Sequence, residues 1–497
     1  MKSEMSRREF ARLAALTGTA ALVGLDAARS VQNASAQDAQ QSLAGLPRFD
    51  GTIVVDDASR AAVAIDSGNL FHNVPAAVLR PGSVRDVVKI VRYANDHGLK
   101  IAMRGDGHSR YGQTQAGGGI VIDMRSLDAI QLRDATSVDV QPGAFWSGVT
   151  LVALAKSRTP RVVPATCMAL TIGGTLSAGG IGRTSHLFGA LVDNVLELDV
   201  VTGDGRLITC SPQRENELFN MVLGGMGQCG AIVRARLPLV RVHTHVMMQE
   251  LTYSDLGVYL EDQRRIASAS RFDGQFGLAT RGAGGQWRYA IEVATFFTPP
   301  NAPDMTPLAT GLHFEHSTAT RVTYRDYLYR FEAENAARLA GSKRPSPGTA
   351  VWIPASTTKA FLEDVLALPQ ETSGIPRNAG GEYFGLHPMN IHRFTRPLFK
   401  LPHEEQAFAV WLHRTAPTGD AAALSSLMES QRGLLAKMTE LGGKRYAPYS
   451  MIMSQDEWAA HFEPDVWKRF SAAKRKYDPG HVLSPQPAMF GVRAGGT

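Results

Sequence analysis

The stretch that most narrows what this chain can fold into is Arg104–Gln113, RGDGHSRYGQ, lodged between two short apolar runs, Lys100–Met103 and Gly119–Met124. That pattern predicts strand, glycine-rich loop, strand. Gly105 and Gly107 lack a Cβ, so the backbone can turn sharply and its N–H groups can converge on an anion. Arg104 adds a fixed positive charge beside them, and His108 and Ser109 are presented next to whatever is held. A dinucleotide fingerprint would open a helix after its glycines, whereas here a second strand follows. Two readings stay open for the loop alone: a cradle for a pyrophosphate, or a plain glycine-rich hairpin with a surface histidine.

Two further glycine regions bear on that choice. One runs from Pro164 to Gly182, with Gly173-Gly174 and Gly179-Gly180 inside it, and the other is Gly224-Gly225-Met226-Gly227-Gln228-Cys229-Gly230. Each lies beside a strand-like run, which suggests one flat or extended ligand touched from several loops. With 497 residues there is room for two or three domains. A net charge of +6 is small for that length, and the basic residues are not clustered with aromatics, which argues against a nucleic-acid partner. Three cysteines, Cys167, Cys210 and Cys229, make neither a disulfide framework nor a usual zinc site, so no metal is expected.

Ser6-Arg7-Arg8-Glu9-Phe10, the uncharged apolar run Leu13–Leu25 and the small residues Ala34-Ser35-Ala36 read as a twin-arginine export signal over residues 1–36, with no membrane anchor after cleavage. The expected location is periplasmic or extracellular. The mature protein is expected to begin at about Leu46; Val74–Pro81 reads as a short strand ended by its proline, and Ser83 with Asp86 reads as the capping box of a helix bearing Val87, Val88, Ile90, Val91 and Ala94. With Ile101–Met103 behind it, this is a βαβ unit. Gly203-Asp204-Gly205 predicts a hairpin between Val195–Val201 and Leu207–Cys210. After about Leu239 glycine clusters thin out, and strand-like runs such as Trp287–Phe297 predict a second domain on an antiparallel sheet.

Four stretches together resemble the vanillyl-alcohol-oxidase superfamily, whose flavin domain is the PCMH-type FAD-binding fold, and within it the cytokinin dehydrogenases. They are RGDGHSRYGQ; LTIGGTLSAGGI (Leu170–Ile181); NVLELDVVTGDG with GGMGQCG behind it (Asn194–Gly205, Gly224–Gly230); and KYDPGHVLSP (Lys476–Pro485). Tyr324–Leu328 and His387–Asn390 match in the second domain. The resemblance implies an α+β fold of two domains, with an FAD-binding domain over 46–240, a substrate or cap domain over 241–445, and a C-terminal return over 446–497. It implies a covalent flavin on His108, with Arg104, Gly105, Asp106, Gly107, Ser109 and Gln113 along the pyrophosphate and ring. Thr171, Gly173, Gly174, Ser177, Ile181 and Ile232 would hold the cofactor along its length, and Tyr449 and Ser484 would close over it. The implied activity is FAD-dependent removal of a hydride from a C–N or C–O carbon of a small organic substrate, with oxygen or another acceptor taking the electrons.

The departures from that family are specific. Its catalytic aspartate falls at Thr166, a side chain that takes no proton at ordinary pH. The nearby glutamate would be Glu292, which is therefore the first candidate for a proton acceptor, ahead of a cap tyrosine or His387; the alternative is a solvated carboxylate on a strand. A glutamine expected two residues after Pro485 is replaced by Pro487, with Gln486 one place earlier. Cys167, six residues before Gly173, has the spacing of the cysteine that makes a second flavin bond in berberine-bridge-type oxidases; otherwise it is a small buried apolar residue. Alternative functions are therefore a berberine-bridge-like oxidase of carbohydrates or alkaloids with bicovalent FAD, or a flavin-binding protein without turnover.

Overall fold

The computed structural model describes residues 43–282, 285–341, 344–368, 382–449, 451–486 and 488–490. The export segment and Pro487 lie outside them. Three sheets organise the chain. The strands β1 (Thr52–Val54), β2 (Ala77–Arg80), β3 (Ile101–Arg104) and β4 (Ile120–Asp123) form the first, in the order β1-β2-β4-β3, with β4 parallel to both neighbours. The loop after β3 is thus a crossover between parallel strands, and the hairpin reading falls.

Helix α1 (Val84–Asp96) completes the βαβ unit and buries Val87, Ile90, Val91 and Ala94 against this sheet. Its start corrects the capping-box expectation. Ser83 makes no side-chain cap bond. Asp86 is instead fully buried and accepts from the N–H groups of Asp50, Gly51 and Gly82 at 2.8–2.9 Å, so it pins the entering chain to the helix rather than capping it.

The second sheet has β5 (Ile130–Leu132), β6 (Ser137–Val140), β7 (Arg158–Pro160), β8 (Glu197–Val201), β9 (Leu207–Cys210) and β10 (Ala231–Arg241), ordered β5-β6-β10-β8-β9 with β7 against the far end of β10. The predicted hairpin is the β8–β9 pair. Between the strands, α2 (Ile172–Ala178) carries the second glycine region.

The third sheet is antiparallel throughout. Its strands are β11 (His245–Tyr253), β12 (Gly274–Arg281), β13 (Trp287–Phe297), β14 (His316–Thr323), β15 (Thr349–Pro354), β16 (Glu382–Asn390), β17 (Gln406–Leu412) and β18 (Lys444–Arg445), in the order β14-β11-β13-β12-β16-β17-β15-β18. Helices α3 (Leu256–Ala269) and α5 (Ala421–Glu440) bury apolar residues against it, while the short α4 (Glu332–Gly341) reaches back towards the first domain. The two domains share one apolar core, in which the rings of Trp352, Phe399 and Tyr446 pack with centroids 4.9–6.1 Å apart beside α2. A Cβ on Gly179 would sit 2.6 Å from the Phe399 ring, so a glycine is required at that seam.

The chain then returns. Helix α6 (Pro464–Tyr477) ends in a buried knot where Lys474 Nζ donates to Asp478 (2.6 Å) and to the carbonyls of Gln228 and Leu483. Asp478 in turn accepts from the N–H groups of Val482 and Leu483. Ser484 N then bonds Ile101 O at 2.7 Å, bringing the C-terminal segment to the edge of the first sheet beside the loop that began the sequence argument. The three cysteines are buried and unbridged.

Candidate functional site

A cavity of about 360 Å³ lies between the domains. All three glycine regions reach it. Every residue proposed from sequence except Glu292 lines it: Arg104 to Ser109 and Gln113 on one loop, Thr166, Cys167, Thr171, Gly173, Gly174, Ser177 and Ile181 on the next, with Ile232, Tyr449 and Ser484. Packing explains several of the glycines. A Cβ on Gly105 would meet Thr171 Oγ1 at 2.1 Å, and one on Gly107 (φ +75°) would meet the Arg104 guanidinium at 2.3 Å.

Arg104 lines the cavity and also supports the loop from within. It is buried and donates to Ile65 O (2.7 Å) and Thr114 Oγ1 (3.2 Å), so it props the Gly107 turn from inside. Asp66, which nothing in the sequence singled out, is the hub of the loop. It accepts from Gly68 N, Ser109 Oγ and Gly112 N at 2.8–3.1 Å, and burial lifts its carboxyl above the usual range despite those bonds. Ser67 also donates to the carbonyls of His108 and Ser109. With the loop's carbonyls and side chains so engaged, the N–H groups of Asp106, Gly107 and Ser109 have no protein acceptor among the described residues. A line of N–H groups around a positive-φ glycine suits a phosphate-bearing cofactor, and the residues fit FAD.

His108 is flanked on both sides. Its Nδ1 lies 3.4 Å from Asp106 Oδ2, and its Nε2 lies 3.7 Å from Cys167 Sγ. Asp106 also faces Arg125 at 3.7 Å, yet burial raises its carboxyl above the ordinary value. The Cys167 loop is fixed by Ser147 N to Met168 O (3.0 Å), Met168 N to Glu332 Oε1 (2.8 Å), and the Asn335 amide to Thr166 O. Helix α4 thus clamps the very segment that carries Thr166 and Cys167.

The far wall is the third sheet. Leu278, Gly385 and Trp411 form a row across β12, β16 and β17, with Phe276 and His387 one step along and His413 just past β17. A Cβ at Gly385 would crowd the Phe276 ring at 3.2 Å, so the row is flat in its middle. His387 packs at a tilt against Phe276, ring centroids 4.7 Å apart; burial, and then nearby Arg183, pushes its imidazole down to about 3. It is neutral near pH 7 and a weak base.

Glu292 is the exception. It projects from β13 into an ion pair with both Arg183 and Arg330, outside the cavity lining. A carboxylate held by two guanidiniums is poorly placed to receive a substrate proton, and this corrects the first candidate. Arg183 also donates to Ala165 O at 2.9 Å, so Glu292 helps shape the Thr166 segment from behind. Besides Asp106, the carboxylate that lines the cavity is Glu334 of α4, next in sequence to the Asn335 that bonds Thr166 O. Sequence reasoning missed it, along with Arg110 and His413, because cap side chains carry no motif and Arg110 hid at an unremarked place in the His108 loop.

The fold and this cavity define a two-domain FAD-binding oxidoreductase. Residues 75–211 match the family model for the FAD binding domain, and residues 268–490 match the model described as cytokinin dehydrogenase 1, FAD and cytokinin binding. An uncharacterized oxidoreductase from the fasciation locus of Rhodococcoides fascians is 35% identical over 86% of this chain and 97% of its own. Cytokinin dehydrogenase 4 of Oryza sativa subsp. japonica is 33% identical over 90% of this chain and 91% of its own. In fold, the chain is similar to 6-hydroxy-D-nicotine oxidase of Arthrobacter nicotinovorans, with a TM-score of 0.69 and 20% identity over 88% of this chain and 98% of that one. The chain belongs to the cytokinin dehydrogenase-like family of FAD-dependent oxidoreductases. Among the described residues, no helix is long and apolar enough to cross a membrane, and no cluster could hold a metal ion.

Proposed function

We propose that this protein is an exported oxidoreductase that removes a hydride from a C–N or C–O carbon of a small organic substrate, on an FAD tethered through His108 and Cys167. The observation that carries the tether is the pairing of the two side chains at 3.7 Å in the cavity wall. The Asp106 carboxylate faces Nδ1 and favours an N–H there, which leaves the Nε2 lone pair turned to the thiol. Transfer of the Cys167 proton to Nε2 gives the thiolate for one bond, and release of a proton from the resulting imidazolium to Asp106 or solvent restores the lone pair His108 needs for the other. When bound, FAD supplies the two-electron acceptor and the protein supplies orientation and electrostatics.

The substrate proton is the chain's own task. Thr166 cannot take it and Glu292 stands outside the lining, so Glu334, which lines the cavity from α4, is the proton acceptor in this reading. His387, held neutral, donates or accepts a hydrogen bond at the flat row of Leu278, Gly385 and Trp411. Cytokinins as substrates are disfavoured by Thr166. The twin-arginine sequence supports export, since that route carries proteins already folded around a cofactor. Anaerobic titration of the purified protein with amines, alcohols and sugars tests the function: at least one class should bleach the flavin spectrum stoichiometrically. A protein that binds ligands from all three without bleaching has no such activity.

A further inference from the structure

Arg110 sits two residues beyond His108, is only 3% exposed, and lines the cavity. Its Nη1 donates to Ser346 O (3.1 Å) and Ser346 Oγ (2.6 Å), its Nη2 faces His413 Nδ1 at 3.4 Å, and its guanidinium lies over the Tyr449 ring at 5.2 Å. Nε has no partner, and Arg110 makes no ion pair among the described residues. Arg183, also buried, is matched by Glu292, and buried Arg104 lies in the field of Asp66. A desolvated cation beside a cavity, held by neutral acceptors alone, is costly unless something anionic completes it.

We infer that Arg110, with His413, anchors an anionic group of the substrate, a carboxylate in the first instance, so that the oxidised compound is an acid rather than a neutral amine or alcohol. This rests on the reading that the cavity holds flavin and substrate together. The partners of Arg110 place it on the substrate side. Ser346 and His413 both belong to the cap, and His413 continues the β17 face that carries Trp411. The guanidinium can only donate, so His413 Nδ1 accepts and helps hold Arg110 in place. Glu334, from α4, lines the same cavity.

Benzoate and benzamide, equal in shape and different in charge, test the site on the flavin-loaded protein. Binding is read both as a flavin difference spectrum and as quenching of tryptophan fluorescence, because Trp411 lines the cavity. Benzoate should bind about ten-fold or more tightly than benzamide, the size of one charge-assisted contact. Arg110→Gln should bring the two within about two-fold, Arg110→Lys should keep part of the preference, and His413→Gln should reduce it. Equal affinities in the unsubstituted protein overturn the anion site, and so does a preference that survives Arg110→Gln. A change in sulfite affinity of the flavin in Arg110→Gln, with the benzoate to benzamide ratio untouched, also overturns it by placing the guanidinium at the cofactor. A yellow protein without benzoate preference sinks only this inference. A colourless protein sinks the flavin reading beneath it.

Discussion

Three side chains decide how the chemistry is shared out: Thr166, Glu292 and Glu334. Thr166 and Glu292 were visible in the sequence because each occupies a matched position, but their use depends on neighbours that no linear pattern shows. Glu292 alternates along β13 as a solvated carboxylate would, and only the fold brings Arg183, from 109 residues away, onto it. Glu334 was silent because no motif marks it, and its importance comes from the fold, which ties α4 to the Thr166 segment through Asn335. Replacing Glu334 by Gln is expected to lower kcat by about 10²-fold or more with KM little changed, the size of a lost general base. Glu292→Gln should instead act through Arg183, raising KM and shifting kcat less. Steady-state kinetics on whichever substrate bleaches the flavin separates the two, and equal kcat losses would contradict the assignment.

Elements were more legible than side-chain roles. The β8–β9 hairpin, α1 and β13 followed from turn residues and apolar periodicity, because local preference and tertiary burial agree there. The capping box at Ser83 failed because Asp86 meets three backbone N–H groups from outside the helix, a long-range demand that outweighs the local one. The parallel pairing of β3 with β4 was likewise hidden, since a loop that binds a ligand does not announce which way the next strand runs. The return of the chain through α6 hangs on Lys474 and Asp478, which are 2% and 0% exposed. Lys474→Met leaves a buried carboxylate without its cation and should cost about 3–5 kcal/mol. Chemical denaturation of the flavin-loaded protein, compared with the unsubstituted chain, checks this, and a change below about 1 kcal/mol would mean that water replaces the ammonium.

The whole molecule carries a pH dependence of its own. His186, His387 and His461 are buried, and burial pushes their imidazoles from 6.5 down to about 4, 3 and 3 respectively. In the unfolded chain each takes a proton near 6.5. Unfolding is therefore coupled to proton uptake, so stability is complete above pH 6.5 and falls as pH drops towards 4 and 3. Each imidazole adds up to about 1.4 kcal/mol per pH unit within that window. Thermal melts from pH 7 to 4.5 should show Tm falling steadily, and replacing His461 by Phe should flatten the slope. A Tm that is level across that range would contradict buried neutral imidazoles.

The central claim, that one cofactor is fastened where the His108 and Cys167 loops converge, is tested most directly by acid precipitation followed by proteolysis and mass spectrometry. The account predicts that the yellow colour stays in the pellet, and that one flavin-bearing product joins the peptide containing His108 to the peptide containing Cys167. Free FAD in the supernatant, with both peptides recovered unmodified, would contradict it.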